Sequence, residues 1–194
     1  MRYGLTMVAR ESGTNAPVSL TELKAHVRQD HSADDTVLTD LIEAVAVTVE
    51  DAQARVLQQS TWTLTLDDWP ASGEIVIPRY PVTSVSSVTY LEAGESTPTT
   101  FASTNYRVDT GRLPPRIVLK KDVLWPTATL ERGAPITVTF LAGYADGEVP
   151  EKVKHAIKLL AGHWYEHREA VATGTIATKI PLAYESLIMA DRLW

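Results

Sequence analysis

The chain has 194 residues, 44% of them hydrophobic, with 24 acidic against 18 basic residues, a net charge of -6 and no cysteine. That length can bury a real core in one domain, or in one domain with a sizeable insertion, and the missing thiols exclude disulfides, thiolate catalysis, Fe–S clusters and cysteine-based zinc sites. No window concentrates Lys and Arg as a phosphate-binding surface requires, and no apolar run approaches the roughly 20 residues that span a bilayer, so neither direct nucleic-acid binding nor a membrane is expected.

Residues 1–17 show no sustained period and contain Gly4, Gly13, Asn15 and Pro17, the pattern of an arm or loosely attached lead-in. They also lack the continuous apolar block of a secretion signal, which points to the cytosol or to a particle assembled there. Ser19 stands three residues before Glu22, a capping box, and Leu20, Leu23 and Val27 follow at helical spacing, so a short helix is expected over 19–28. After a polar break a second helix is expected over 35–58, with Leu38, Leu41, Ile42, Val45, Val49, Ala52 and Val56 along one face. Its β-branched residues lower intrinsic propensity, so packing has to hold it.

From Ser60 the period changes to two: Trp62, Leu64 and Leu66 alternate with Thr61, Thr63 and Thr65. Further strands are expected over 75–77, 82–91, 106–108, 116–119 and 136–141, with 92–104 a Thr- and Ser-rich loop or hairpin tip, and together they make an antiparallel β unit. Pro78 and Pro81 bracket one connection, Pro114 and Pro115 another, as suits residues without a donor N–H. A third helix over 150–171 sets Val153, Ile157, Leu160 and Trp164 on one face, with Lys152, Lys154, Lys158, Glu166 and Arg168 on much of the rest. Residues 172–181 read as a loop, and a last short helix over 182–193 would pack Leu182, Leu187, Ile188 and Met189, with Trp194 ending the chain.

The element order gives an α+β fold: a helical bundle of two N-terminal helices plus the C-terminal helices, with an inserted antiparallel β unit. Its expected parts are an N-terminal arm over 1–17, a helical core over 18–59 and 144–194, and the insertion over 60–143.

His163-Trp164-Tyr165-Glu166-His167 matches the H-x-x-E-H pattern of a zinc-hydrolase family, in which two histidines bind the metal and the glutamate activates its water. A third ligand is then required, and Glu169, Glu185, Asp191, His26, His31 and His155 sit in no recognisable ligand motif. Solvated or capping side chains account for the cluster better, since His167 and Arg168 are favoured near a helix C-terminus when charged. Gly-x-Ser-x-Gly, glycine-rich phosphate loops and an EF-hand spacing around Asp30, Asp34 and Asp35 are missing, so no nucleophile, cofactor or metal is expected. Trp62, Trp69, Trp125, Trp164 and Trp194 are scattered over strands, turns and helices, which argues for core and interface roles.

Several phrases, in their order and spacing, resemble the head-to-tail connector (adaptor) proteins of long-tailed bacteriophages and gene transfer agents. They run from Pro17-Val18-Ser19-Leu20-Thr21-Glu22-Leu23 through the Asp34-Asp35 helix start, Gln59-Ser60-Thr61-Trp62, Ile77-Pro78-Arg79-Tyr80-Pro81-Val82, Asn105-Tyr106-Arg107-Val108-Asp109 and Phe140-Leu141-Ala142-Gly143-Tyr144 to His163-Trp164-Tyr165-Glu166-His167-Arg168. The resemblance implies a structural, non-enzymatic protein of the virion. Members form a homo-oligomeric ring, commonly of twelve subunits, that docks beneath the portal protein at the head-tail junction and presents a surface to a tail stopper or completion protein. DNA passes through the lumen without specific binding, and a net acidic ring would repel its backbone. Family members often have Asn where this chain has His167, as suits a surface residue better than a zinc ligand. On this reading His163, Glu166, His167, Arg168, Tyr184, Leu187 and Trp194 are candidates for portal or subunit contacts. The competing readings are a zinc-dependent hydrolase using His163, Glu166 and His167, and another tail-completion or stopper protein.

Overall fold

A computed structural model of the chain describes residues 3–10, 16–167 and Leu187. The chain divides into two units, a helical one from Gly13–Gln58 with Tyr144–Trp194, and a β unit from Met1–Ser12 with Gln59–Gly143.

The helical unit holds α1 (Leu20–Val27), α2 (Asp35–Gln53) and α3 (Glu151–Glu166). The capping box is complete: the Glu22 N–H donates to Ser19 Oγ at 3.2 Å and the Ser19 N–H to Glu22 Oε2 at 2.8 Å. α2 stops at Gln53 rather than at 58. Ala54 adopts a left-handed φ of 55°, and the Leu57 N–H donates to Glu50 Oε1 at 2.7 Å, so a side-chain carboxylate takes a donor that a longer helix would have kept. Val56 is buried, but in the connection that follows the helix. Pro150 caps α3, its carbonyl accepting from the N–H groups of Val153 and Lys154 at 2.9 and 3.1 Å.

Leu23, Leu38, Ile42, Val45 and Val49 share one core with Val153, Ile157 and Leu160, all at most 2% exposed. Each such burial stabilises by about 1.5–3 kcal/mol before entropy is counted. Ala156, Ala161 and Gly162 add small buried positions to α3, and Val27 Cγ1 lies 3.4 Å from where a Cβ of Gly162 would stand, so α1 approaches α3 closely there. The expected extension of α3 to 171 and the helix over 182–193 lie outside the described residues, except that Leu187 is helical and packs half-buried against this core. Among the described residues no helix is long and apolar enough to cross a membrane.

The β unit contains two antiparallel sheets. Numbered along the chain, the strands are β1 (Tyr3–Arg10), β2 (Ser60–Leu66), β3 (Glu74–Val76), β4 (Val82–Tyr90), β5 (Thr99–Thr100), β6 (Tyr106–Asp109), β7 (Arg116–Leu119) and β8 (Ile136–Ala142). The larger sheet runs β1-β2-β8-β4-β5 and the smaller β3-β7-β6. Two expectations change. Residues 3–10, read as part of an arm, form the edge strand β1, with Tyr3 opposite Leu66 and Thr6 opposite Thr63. The 92–104 loop contains β5, paired to Thr89 and Tyr90, and a 3-10 turn at Ser103–Asn105. β1 is held by a neighbour far along the chain and β5 by the preceding strand in a hairpin, and neither carries a hydrophobic alternation long enough to announce itself.

The two faces of the larger sheet differ in chemistry. Leu64, Leu66, Val88, Tyr90, Ile136, Val138 and Phe140 are buried on one face. The other is paved with threonine and serine in registered rows: Thr6, Thr63, Thr139 and Ser87 form one, and Thr65, Thr137, Thr89 and Thr100 another. β-branched hydroxyl residues suit a half-solvated pleated surface, and this face bears no charge in those rows.

Candidate functional site

The C-terminal end of α3 gathers most of the sequence-predicted residues. His163 is half-buried, Glu166 and His167 are exposed, and the two imidazole rings lie 4.5 Å apart between centroids. His167 Nδ1 stands 3.1 Å from the His163 carbonyl oxygen, and its backbone N–H donates to that oxygen at 3.0 Å, so the ring is folded back on the helix end. Among the described residues no group of three or more His, Asp or Glu side chains is placed to hold a metal. Leu187, Trp164 and Tyr165 are each half-buried against the helical core. Arg168, Tyr184 and Trp194 lie outside the described residues.

Tyr165, inside the same five-residue motif, fixes this end of α3 and was not singled out by the sequence. Its hydroxyl donates to Asp34 Oδ2 at 2.5 Å and accepts from Gln29 Nε2 at 2.7 Å, tying α3 to the link between α1 and α2. Lys24 and Asp35 pair across the same link at 2.6 Å. One turn further back, His26 sits edge-on to His155 with ring centroids 6.2 Å apart, and its ring lies over Gly162. Desolvation of that ring lowers its pKa below the ordinary histidine value, His155 and Lys158 lower it further, and Glu166 acts the other way. The arrangement puts one half-buried and one exposed imidazole and an exposed carboxylate on a pinned helix end that also carries half-buried Trp164, groups able to hydrogen-bond or ion-pair with another polar surface.

Two features of the β unit join residues that are distant in sequence. Trp69 stacks on Trp125 at 4.7 Å with planes 9° apart and also meets Tyr90 and Phe101, while Trp125 Nε1 donates to the Pro70 carbonyl at 3.0 Å. Both tryptophans are half-buried, so they form one clustered, partly exposed aromatic group rather than core. Burial raises the pKa of both Tyr90 and Tyr106, and the Glu92 carboxylate raises that of Tyr90 further. On the smaller sheet, Arg107, Lys120 and Lys121 line a depression of about 520 Å³ with Tyr106, Val118 and Leu119, a cationic grouping that no linear window displays.

No protein-family model and no curated protein matches the chain. Solved structures do, over 97% of its length. A chain from the neck of an empty GTA particle computed with C6 symmetry superposes with a TM-score of 0.77 at 24% identity, covering 95% of that chain. A chain from the virion of a native gene transfer agent (GTA) particle gives 0.77 at 22% identity and 94% coverage, and one from the neck of a native GTA particle computed with C12 symmetry gives 0.75 at 24% and 94%. The shared property is the fold, over nearly the full length of both partners.

Proposed function

We propose that this protein is a structural subunit of the neck of a tailed, phage-like particle, a head-to-tail adaptor present as a ring of copies between the portal and the next tail component. The observation that carries the proposal is the near-complete superposition on neck chains of gene transfer agent particles, at a TM-score of 0.77 over 97% of the chain. The C6 and C12 symmetries of those particles support a ring, twelve subunits being the number we assign. The role is structural and non-enzymatic: the exposed end of α3 binds a neighbouring protein, with His163, Glu166 and His167, and with Arg168, Tyr184, Leu187 and Trp194, as contacts to the portal or to an adjacent copy. DNA passes through the lumen without specific binding.

Deleting the gene in a producing host tests this. DNA-filled heads without tails should accumulate, with tails restored by the wild-type gene and a ring of this chain visible beneath the portal by electron microscopy. Tailed particles formed in its absence overturn the proposal. Alanine at His163, Glu166 and His167 together should reduce tailed particles while leaving the urea midpoint of the purified protein in place. Stoichiometric zinc that disappears in His163→Ala would instead favour the hydrolase reading.

A further inference from the structure

The border of the larger sheet is the part of the β unit that its own fold leaves open. β1 is the terminal strand, and of its eight residues only Leu5 is half-buried. Tyr3 and Met7 stand opposite Leu66 and Trp62, so they extend the apolar face of the sheet, yet they remain 57% and 44% exposed, and Val8 at the neighbouring bulge is 59% exposed. Long edge strands are ordinarily blunted by charge, proline, brevity or bulges, and the one bulge in β1, at Val8, leaves the pairing on either side of it intact. β1 carries one charge, Arg10 at its end, and no proline.

The opposite border is open as well. β5 spans only Thr99–Thr100 and pairs with Thr89 and Tyr90, and the Phe101 N–H that follows donates to the Val88 carbonyl at 2.8 Å, so among the described residues no strand lies against that side of 82–87 in β4, where Thr83, Ser84 and Ser86 are exposed. Between the borders the four long strands β1-β2-β8-β4 alternate in direction, each antiparallel to the next. With an even number of alternating strands, rotating a second copy about an axis along the strands brings its β1 antiparallel to β4 of the first. A ring needs two unlike, complementary surfaces on each subunit, and the two borders supply them.

We propose that β1 of one copy adds to the open edge of β4 in the next, so that the sheet continues from subunit to subunit around the ring. This rests on the ring reading above. Main-chain hydrogen bonds would supply the affinity, and the cover gained by Tyr3 and Met7 would favour this partner over solvent.

The chain contains no cysteine, so Thr6→Cys and Ser86→Cys, both at exposed positions, introduce the only thiols for a short bismaleimide linker. In rings assembled on portal-bearing heads, the double variant should give a ladder of covalent multimers, a mixture of the two single variants only dimers, and either single variant alone only monomers. A dimer from Thr6→Cys alone, meaning that β1 pairs with itself, overturns the proposal. So do rings that show no cross-link, and so does strong protection from hydrogen exchange, in the unassembled chain, of those β1 amides that do not bond β2, which would mean that another segment of the same chain covers the edge. Met7→Lys with Val8→Lys should weaken assembly by about ten-fold or more while the far-ultraviolet circular dichroism stays unchanged. Failure of wild-type chain to form any ring on the heads overturns the ring reading itself, whereas rings without the Thr6–Ser86 link overturn only the strand addition.

Discussion

In the helical unit the buried side chains are nearly all aliphatic and come from three helices at the spacing their sequences display. In the β unit, by contrast, a shared aromatic group is gathered from a turn at Trp69, a loop at Phe101 and Trp125, and a strand at Tyr90. The polar chemistry divides the same way. The helical unit is pinned by charged and hydroxyl groups at its helix ends, Tyr165 on Asp34 and Lys24 on Asp35, whereas the larger sheet has one uncharged, half-exposed threonine face and, among the described residues, two open borders. A helix satisfies its own backbone and needs partners only for its side chains. A sheet passes unsatisfied backbone groups to its edges, and the free edge is where the next molecule can act.

The largest effects that test this contrast are core truncations. Phe140→Ala, at a site with no exposed surface, should cost about 3–5 kcal/mol, and Leu160→Ala about 2–5 kcal/mol, both read from urea unfolding. Hydrogen exchange should then localise the first loss of protection to β2, β4 and β8, and the second to α1, α2 and α3. Protection lost evenly over both sets would break the comparison. Trp69→Leu should cost about 1–3 kcal/mol and abolish the near-ultraviolet exciton signal of the Trp69–Trp125 stack, while the same change at Trp164 leaves that signal intact.

Smaller effects sharpen the contrast at the helix ends. Tyr165→Phe removes a hydroxyl held by both Asp34 and Gln29 and should cost about 1–2 kcal/mol by thermal unfolding. Ser19→Ala opens the capping box for about 1 kcal/mol. It should also raise the Glu22 pKa only part of the way in an NMR titration, because that carboxyl is held down chiefly by the Ser19 backbone N–H, which alanine keeps, and then by the hydroxyl, which it removes.

The smallest effects are on pH, and the units should respond at opposite ends of the scale. His26 titrates below 6.5 in the folded chain, so the unfolded chain binds the proton first as pH falls. The contribution is therefore nil at neutral pH, and stability declines as pH drops below 6.5, a decline that His26→Gln should reduce. Tyr90 and Tyr106 titrate above 10.0 when folded, so their contribution is intact below that value and is lost as pH rises beyond it, with the unfolded chain ionising first. Hydrogen exchange at pH 5.5 and pH 10.5 should show the helical unit loosening in the first and the β unit in the second.

What could be read ahead of the structure follows how far each signal travels along the chain. The inward face Val153, Ile157, Leu160 is a statement about spacing within one helix, as are the Ser19–Glu22 cap and the Thr61–Leu66 alternation, and each is found as written. The end of α2 was misplaced because Val56 continues the apolar period, while at the observed end Ala54 turns left-handed and the Leu57 N–H donates to the Glu50 carboxylate. In the candidate site the histidines and Glu166 were visible as a motif. Tyr165, which anchors that motif, was not, because its partners Asp34 and Gln29 are more than a hundred residues away.

Composition and periods of two and 3.6 residues were enough for the order and kind of the three helices and of the central strands β2, β4 and β8, for the faces they bury, and for the exclusion of thiol chemistry. Only contacts through space decide that residues 3–10 are a strand, that the middle region makes two sheets, that Trp69 and Trp125 stack, and that among the described residues both borders of the larger sheet are open. Each of these joins residues through space, and a strand edge has no signature of its own: the same alternating segment is interior or edge according to what lies beside it.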